Sequence, residues 1–307
     1  MKEEETSVLF IGLGKMGNPM ATNLADAGVP LAVVDISAPA LEPFATRGIP
    51  TASYGGALEG EIVITMLPTD RHVRGALFGA GGALESKTRR VVIDMSSSEP
   101  SATKATAAQL SELGVAMLDA PVSGGVPKAR SGDLTTMVGG DAAVLERCRG
   151  LLSIMCGSVQ HVGPVGAGHT VKALNNFLSG VGLWASCEAL LVGARAGLDP
   201  QKMVDAWSKS TGANNALETK IREAVLPRTF DWGFSLELIA KDVSIAARLA
   251  RELDVPTPML AASEEHWLMA KASAGGDSDF TNVARVLERW AGFEIPAVAR
   301  SGQGPRQ

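Results

Sequence analysis

Apolar residues in the first half of the chain come in short unbroken runs. Segments 8–11, 31–35, 62–66, 91–94 and 115–118 are dominated by Val, Ile, Leu, Met and Ala. Runs of that length, rich in β-branched residues, fit strands buried on both faces. Between them, segments 16–27, 39–47 and 100–113 are helix-like. Strands alternating with helices of about 10–15 residues predict βαβ units and a parallel sheet. A further run at 134–138 ends in Gly139-Gly140, and a helix is expected over 141–155. This block should close near His161.

The strand pattern then stops. From Gly166 to Gly197 the pattern stays helical. At ~1.5 Å per residue, roughly thirty residues make a rod on the order of 45 Å, long enough to leave one domain and enter another. Gly197 followed by Asp199-Pro200 marks a helix end and a new start. Further helices are expected at 200–210, 216–225, 236–253 and 258–274. The organisation expected is a dinucleotide-type α/β domain over 1–165, an interdomain helix over 166–197, an all-helical domain over 198–298 and a disordered tail over 299–307.

Composition narrows the function classes. The chain has 307 residues, 46% apolar and 20% charged, as expected of a globular enzyme. A net charge of −5 with no basic stripe argues against nucleic acid or an anionic membrane as partner. No apolar run of membrane-span length is expected, because Asn175, Asn176, Glu188 and Arg195 interrupt the richest stretch. Cys148, Cys156 and Cys187 show no Cys-x-x-Cys spacing and read as reduced and buried. With an acidic, non-signal start, these point to a cytoplasmic protein. The four histidines lack metal-ligand spacing, so no metal is expected.

Gly12-Leu13-Gly14-Lys15-Met16-Gly17 follows the first strand and opens a helix. Gly12 permits a tight turn, Gly14 close approach of a pyrophosphate, and Gly17 close helix–strand packing; the helix start supplies amides and positive dipole. Asp35 ends the second strand, 23 residues after Gly12, where an acid can hydrogen-bond a ribose 2′-hydroxyl and repel a 2′-phosphate. Ile36-Ser37 offers no arginine, so NAD is favoured over NADP. The fold expected is a Rossmann-type doubly wound sheet. Leu67-Pro68 and Ser96-Ser97 fall at carboxyl ends of later strands, where open α/β sheets bind ligands, and His72 lies just beyond. Asp119-Ala-Pro-Val-Ser-Gly-Gly125 ends another strand, and its exposed amides with the Ser123 hydroxyl suit a carboxylate.

Lys172 and Asn176 stand four residues apart in a helical segment, hence on one face. They can aim an amine and an amide at one carbonyl. A lysine base needs its pKa lowered, by desolvation or by a cation such as Lys241 or the oxidised nicotinamide. The combination indicates hydride transfer with Lys172 as acid–base group. A polar stretch, Ser210 to Asn215, is placed at the site from the second domain, whereas Trp207, Trp232 and Phe234 read as helical core.

These motifs, over residues 7 to 295 and in order, resemble the β-hydroxyacid dehydrogenase family, typified by 3-hydroxyisobutyrate dehydrogenases and including tartronate semialdehyde reductases. Residues 12–24 match its cofactor signature and 119–140 its substrate signature. The resemblance implies Lys172 as catalytic lysine, Asn176 as substrate holder and Lys241-Asp242 as the pair closing over the nicotinamide, with Phe230-x-x-Gly233-Phe234 before it. It implies cofactor contacts at Leu67, Pro68, His72, Ser97 and Lys241, and substrate contacts at Ser123, Gly124, Gly125 and Lys241. It also implies a homodimer or homotetramer acting on a small carboxylic acid. The related 6-phosphogluconate dehydrogenases carry His-Asn where this chain has Asn175-Asn176, which argues against oxidative decarboxylation. Imine reductases usually replace the lysine. Substrate choice stays open between 3-hydroxyisobutyrate and tartronate semialdehyde or threonate-type acids. A dinucleotide-binding protein without turnover is the alternative from another class.

Overall fold

The computed structural model describes residues 7–54 and 58–298. The acidic start and the tail from Ala299 lie outside the described residues. The chain divides into two compact units, with Lys172 ending the first and Ala173 beginning the second.

In the first unit, β1 (Val8–Ile11), β2 (Leu31–Val34), β4 (Ile62–Thr65) and β5 (Val91–Asp94) are buried at every position. With β3 (Thr51–Ala52) and β6 (Ala116–Asp119) they form a parallel sheet in the order β3-β2-β1-β4-β5-β6. Alternate residues feed two separate cores. Val8, Phe10, Val33 and Ile64 meet Met20 and Leu24 of α1 (Gly17–Asp26) and Leu145 and Leu152 of α6 (Ala142–Met155) on one face. Leu9, Ile11, Val34 and Val63 meet Val73 and Leu77 of α3 (Asp70–Phe78) and Leu110 of α4 (Pro100–Glu112) on the other. The period of two with both faces apolar is why each strand reads as an unbroken run.

Beyond β6 the sheet continues through β8 (Leu134–Gly139), antiparallel to both β6 and β7 (Val122–Ser123). The eight-residue β9 (Cys156–Gly163) then pairs parallel to β8. Neither β7 nor β9 was expected from sequence. Most of β9 is only half-buried or exposed, so it lacks an apolar signature and owes its conformation to the β8 ladder. Helices α2 (Ala38–Ala45) and α5 (Gly125–Ser131) complete this unit.

One helix, α7 (Ala167–Arg195), starts in the first unit and continues in the second. The second unit is helical: α8 (Pro200–Trp207), a π-helical segment (Leu217–Val225), α9 (Leu236–Glu252), α10 (Pro258–Ala274) and α11 (Val283–Ala291), the last not anticipated. Its core centres on Trp267, fully buried, with Trp184 edge-on at 5.4 Å and Phe280 stacked at 6.2 Å. Trp207, Trp232 and Phe234 pack against this core, as expected of them. Glycines on α7 let its neighbours close in: a Cβ on Gly193 would sit 2.1 Å from Met203 Sδ, and one on Gly180 2.8 Å from Trp267 Nε1.

The expectation about membrane-length segments needs correcting. α7 is long and apolar enough, by length and composition, to cross a membrane, with a mean hydropathy of 1.5. Its polar interruptions are outweighed by a buried stripe of Ala173, Leu183, Trp184, Cys187, Leu190 and Ala194, which belongs to the helical core.

Candidate active site

The order β3-β2-β1-β4-β5-β6 reverses direction between β1 and β4, which opens a crevice at the carboxyl ends of these strands. The glycine fingerprint sits there. Gly12 has φ +100°, and a Cβ on it would lie 2.3 Å from Met66 O, so the turn admits only glycine. A Cβ on Gly17 would lie 1.9 Å from Gly12 O. Gly14, by contrast, faces open space, and Gly14 and Lys15 are exposed while Met16 is half-buried. The first turn of α1 has no acidic residue and no side-chain cap, which favours an anion at the turn, although Asn18 N–H donates to Gly14 O at 3.0 Å and Pro19 has no N–H.

Asp35 ties β2 to this loop: its Oδ2 accepts the Leu13 N–H at 2.6 Å and its Oδ1 the Ser37 N–H at 2.8 Å. Next to it Ile36 is 89% exposed, an apolar side chain that composition alone did not single out. Leu67 is half-buried, and its N–H donates to Ser96 Oγ at 2.9 Å. Pro68 is exposed and Ser97 half-buried. His72 is exposed in the first turn of α3, its Nδ1 2.7 Å from the Thr69 hydroxyl that caps this helix. The residues fit a dinucleotide: an open glycine turn, a helix start without an acidic residue or side-chain cap, and a carboxylate at the end of β2.

Ser123 closes β7, and Gly124 (φ +133°) and Gly125 (φ +70°) follow it, both exposed. Just upstream, Asp119 is enclosed at the end of β6. Its Oδ1 accepts the Gly166 N–H at 2.7 Å and its Oδ2 the His169 N–H at 2.9 Å, so a strand-end carboxylate caps the start of α7. Burial pushes the Asp119 carboxyl above the usual carboxylate range, opposed by His169 and by these amide donors. Lys172, half-buried, follows within the first two turns.

In the second unit Asn176 is buried, and its Nδ2 donates to Asp242 Oδ2 at 2.5 Å. Asp242 is also buried, with Lys241 Nζ 3.3 Å from its Oδ1. One carboxylate of α9 therefore orients the amide on α7 through its Oδ2 and forms an ion pair with the neighbouring lysine through its Oδ1. The Phe230–Phe234 segment leading into α9 is held by Asp279, whose Oδ2 accepts from Gly233 N at 2.6 Å and Phe234 N at 3.2 Å. Within the polar 210–215 stretch, Asn214 is a helix cap, accepting from Ala216 N at 2.9 Å and Leu217 N at 3.1 Å. Asn215 accepts from Lys220 Nζ. Among the described residues no group of three His, Cys, Asp or Glu could hold a metal.

Motif reading missed Asp94, Asp119, His169 and Lys220. The only signal for the first three was position, at strand ends or just ahead of the lysine; Lys220 carried none.

A doubly wound sheet with this crevice and glycine turn defines the class: a dinucleotide-binding protein. Residues 7–163 match the family model described as the NAD binding domain of 6-phosphogluconate dehydrogenase. Residues 166–287 match the NAD-binding region of NADP-dependent 3-hydroxyisobutyrate dehydrogenase. The 2-(hydroxymethyl)glutarate dehydrogenase of Eubacterium barkeri is 35% identical, over 95% of this chain and 98% of its own. The 2-hydroxy-3-oxopropionate reductase of Escherichia coli strain K12 is 36% identical, over 93% and 98%. A solved Mycobacterium tuberculosis 3-hydroxyisobutyrate dehydrogenase with L-serine superposes with a TM-score of 0.84 at 31% identity, covering 92% of this chain and 99% of that one. The chain belongs to the β-hydroxyacid dehydrogenase family, and is an NAD-dependent oxidoreductase of small hydroxy acids.

Proposed function

We propose that the substrate is a 2-substituted 3-hydroxypropionate, oxidised at its hydroxymethyl carbon to the semialdehyde or formed by the reverse reduction. The compounds named for the three relatives share that unit, a hydroxymethyl or formyl carbon beside the carboxylate-bearing carbon, and differ at C2. One observation carries the roles assigned here: Lys172 and Asn176 lie one turn apart on α7, and Asp242 fixes the Asn176 amide.

Ser123 Oγ with the amides of Gly124 and Gly125 holds the carboxylate. The Asn176 amide and the Lys172 amine hold the hydroxyl, and Lys172 takes its proton during oxidation. Bound NAD supplies the hydride acceptor. In the reductive direction, protonated Lys172 stabilises the developing alkoxide and returns the proton. Gly12 to Gly17, Asp35, Leu67, Pro68, His72, Ser97 and Lys241 are the positions assigned to cofactor. The protein works as a homodimer or homotetramer in the cytoplasm.

The test is NADH-monitored turnover of 3-hydroxyisobutyrate, L-serine, glycerate, threonate and 2-(hydroxymethyl)glutarate, with their semialdehydes where stable. At least one acid should turn over well, and Lys172→Ala should reduce that turnover by about 10²–10⁴-fold, the range for a general acid–base group. A folded Lys172→Ala with near-normal kcat would remove the lysine from its role. NAD binding without turnover of any of these acids would overturn the assignment to 2-substituted 3-hydroxypropionates.

A further inference from the structure

His169 stands three residues before Lys172, and its imidazole is enclosed. Its Nε2 lies 3.0 Å from the Ser96 carbonyl oxygen, so that nitrogen carries a proton and donates it. Its Nδ1 lies 2.8 Å from the Thr103 hydroxyl on α4. The carboxylates of Asp94 and Asp119 stand 3.8 Å from Nε2 and Nδ1 respectively. Asp94 is itself held by Thr65 Oγ1 at 2.9 Å and by Ser98 Oγ at 3.0 Å.

The start of α7 is thus pinned to the ends of β5 and β6 and to α4. Ser96 receives the histidine through its carbonyl and the Leu67 N–H through its hydroxyl. Its peptide leads into Ser97, so Ser96 bonds one position assigned to the cofactor, Leu67, and adjoins another, Ser97. A buried polar network of this kind adds little stability over apolar packing, but it admits only one arrangement of its members. On a helix of fixed pitch, a shift at residue 169 is passed on to residue 172. Misplacing a catalytic group by about 1 Å can cost about 10²-fold in rate.

We propose that His169 is a positioning residue that sets the height of the Lys172 amine against the cofactor edge of the sheet. The inference rests on Lys172 being the acid–base group. Three variants test it on the panel acid turned over fastest, with that acid also deuterated at its carbinol carbon. His169→Phe keeps the bulk and loses both hydrogen bonds. His169→Gln keeps a donor for Ser96 O. Thr103→Val removes the partner of Nδ1, together with the bond from the Thr103 hydroxyl to the Glu99 carbonyl at the start of α4.

Folded His169→Phe should bind NADH within threefold of wild type by fluorescence titration, yet lose 10–100-fold in kcat with a raised primary isotope effect. His169→Gln should recover most of the loss, and Thr103→Val should fall between. Wild-type kcat and isotope effect in folded His169→Phe would overturn the proposal. So would a loss confined to NADH affinity, or a His169→Gln no better than His169→Phe. If His169→Phe does not fold, Thr103→Val decides by the same two readouts. Lys172→Ala is measured alongside. An inactive Lys172→Ala with unaffected His169 variants sinks this inference alone, whereas an active one sinks the lysine reading with it.

Discussion

Asp35 shows how much one side chain can decide. Its carboxylate bonds the Leu13 amide of the fingerprint turn, so the group proposed to discriminate the ribose also braces the glycine loop. Ile36 and Ser37, which follow it, offer no cation for a 2′-phosphate. Changing Asp35→Ser together with Ile36→Arg should therefore invert the preference from NAD toward NADP. It should also lower kcat/KM with either cofactor, because the loop loses its brace. Steady-state kinetics with both cofactors read this directly, and an unchanged NAD preference would show that discrimination lies elsewhere. Asp35 was legible in the sequence because its spacing from Gly12 follows from strand and helix lengths. Asp242 was legible only as the neighbour of a lysine: that it holds Asn176 depends on a bond spanning 66 positions.

Among the elements, the π-helical segment Leu217–Val225 carries the most unusual group. Lys220 is buried there, bonded to Asn215 Oδ1 and 5.6 Å from the centre of the Trp232 ring. Burial lowers its amine to about 8. A lysine whose folded pKa lies below its unfolded value binds fewer protons when folded between those two values. Stability therefore rises with pH across the window from about 8 up to the ordinary lysine value of 10.5, and the penalty is fully present below that window. Lys220→Met should stabilise the protein by on the order of 1–3 kcal/mol at pH 7. That gain should shrink steadily through the alkaline window, as followed by urea denaturation at several pH values. A variant less stable than wild type at pH 7 would mean that the contacts with Asn215 and Trp232 outweigh desolvation. The helical pattern of this segment was readable, but its wider winding was not, since apolar spacing alone does not distinguish a π-helix from an α-helix.

At the scale of the whole molecule, the reduced cysteines report on both units. Cys148 and Cys156 belong to a core of the first unit and Cys187 to that of the second. Burial raises all three thiols, that of Cys156 to about 12. The native protein should leave all of them unlabelled by a thiol reagent at pH 8 and expose three on unfolding in guanidinium chloride. A thiol that reacts fast without denaturant would reveal an opening of its unit. The sequence by itself determined the strand–helix alternation, the position of the glycine turn, the acid that follows β2 and the four-residue spacing of Lys172 and Asn176. All of these are local patterns, set by periods of two and 3.6 residues and by the backbone freedom of glycine. Only the tertiary structure decided the antiparallel return through β8, the ladder that makes β9 a strand, and the capping of α7 by Asp119. That carboxylate meets amides 47 and 50 residues further along the chain. Partners so distant are chosen by which strand lies beside which, and no local spacing encodes that.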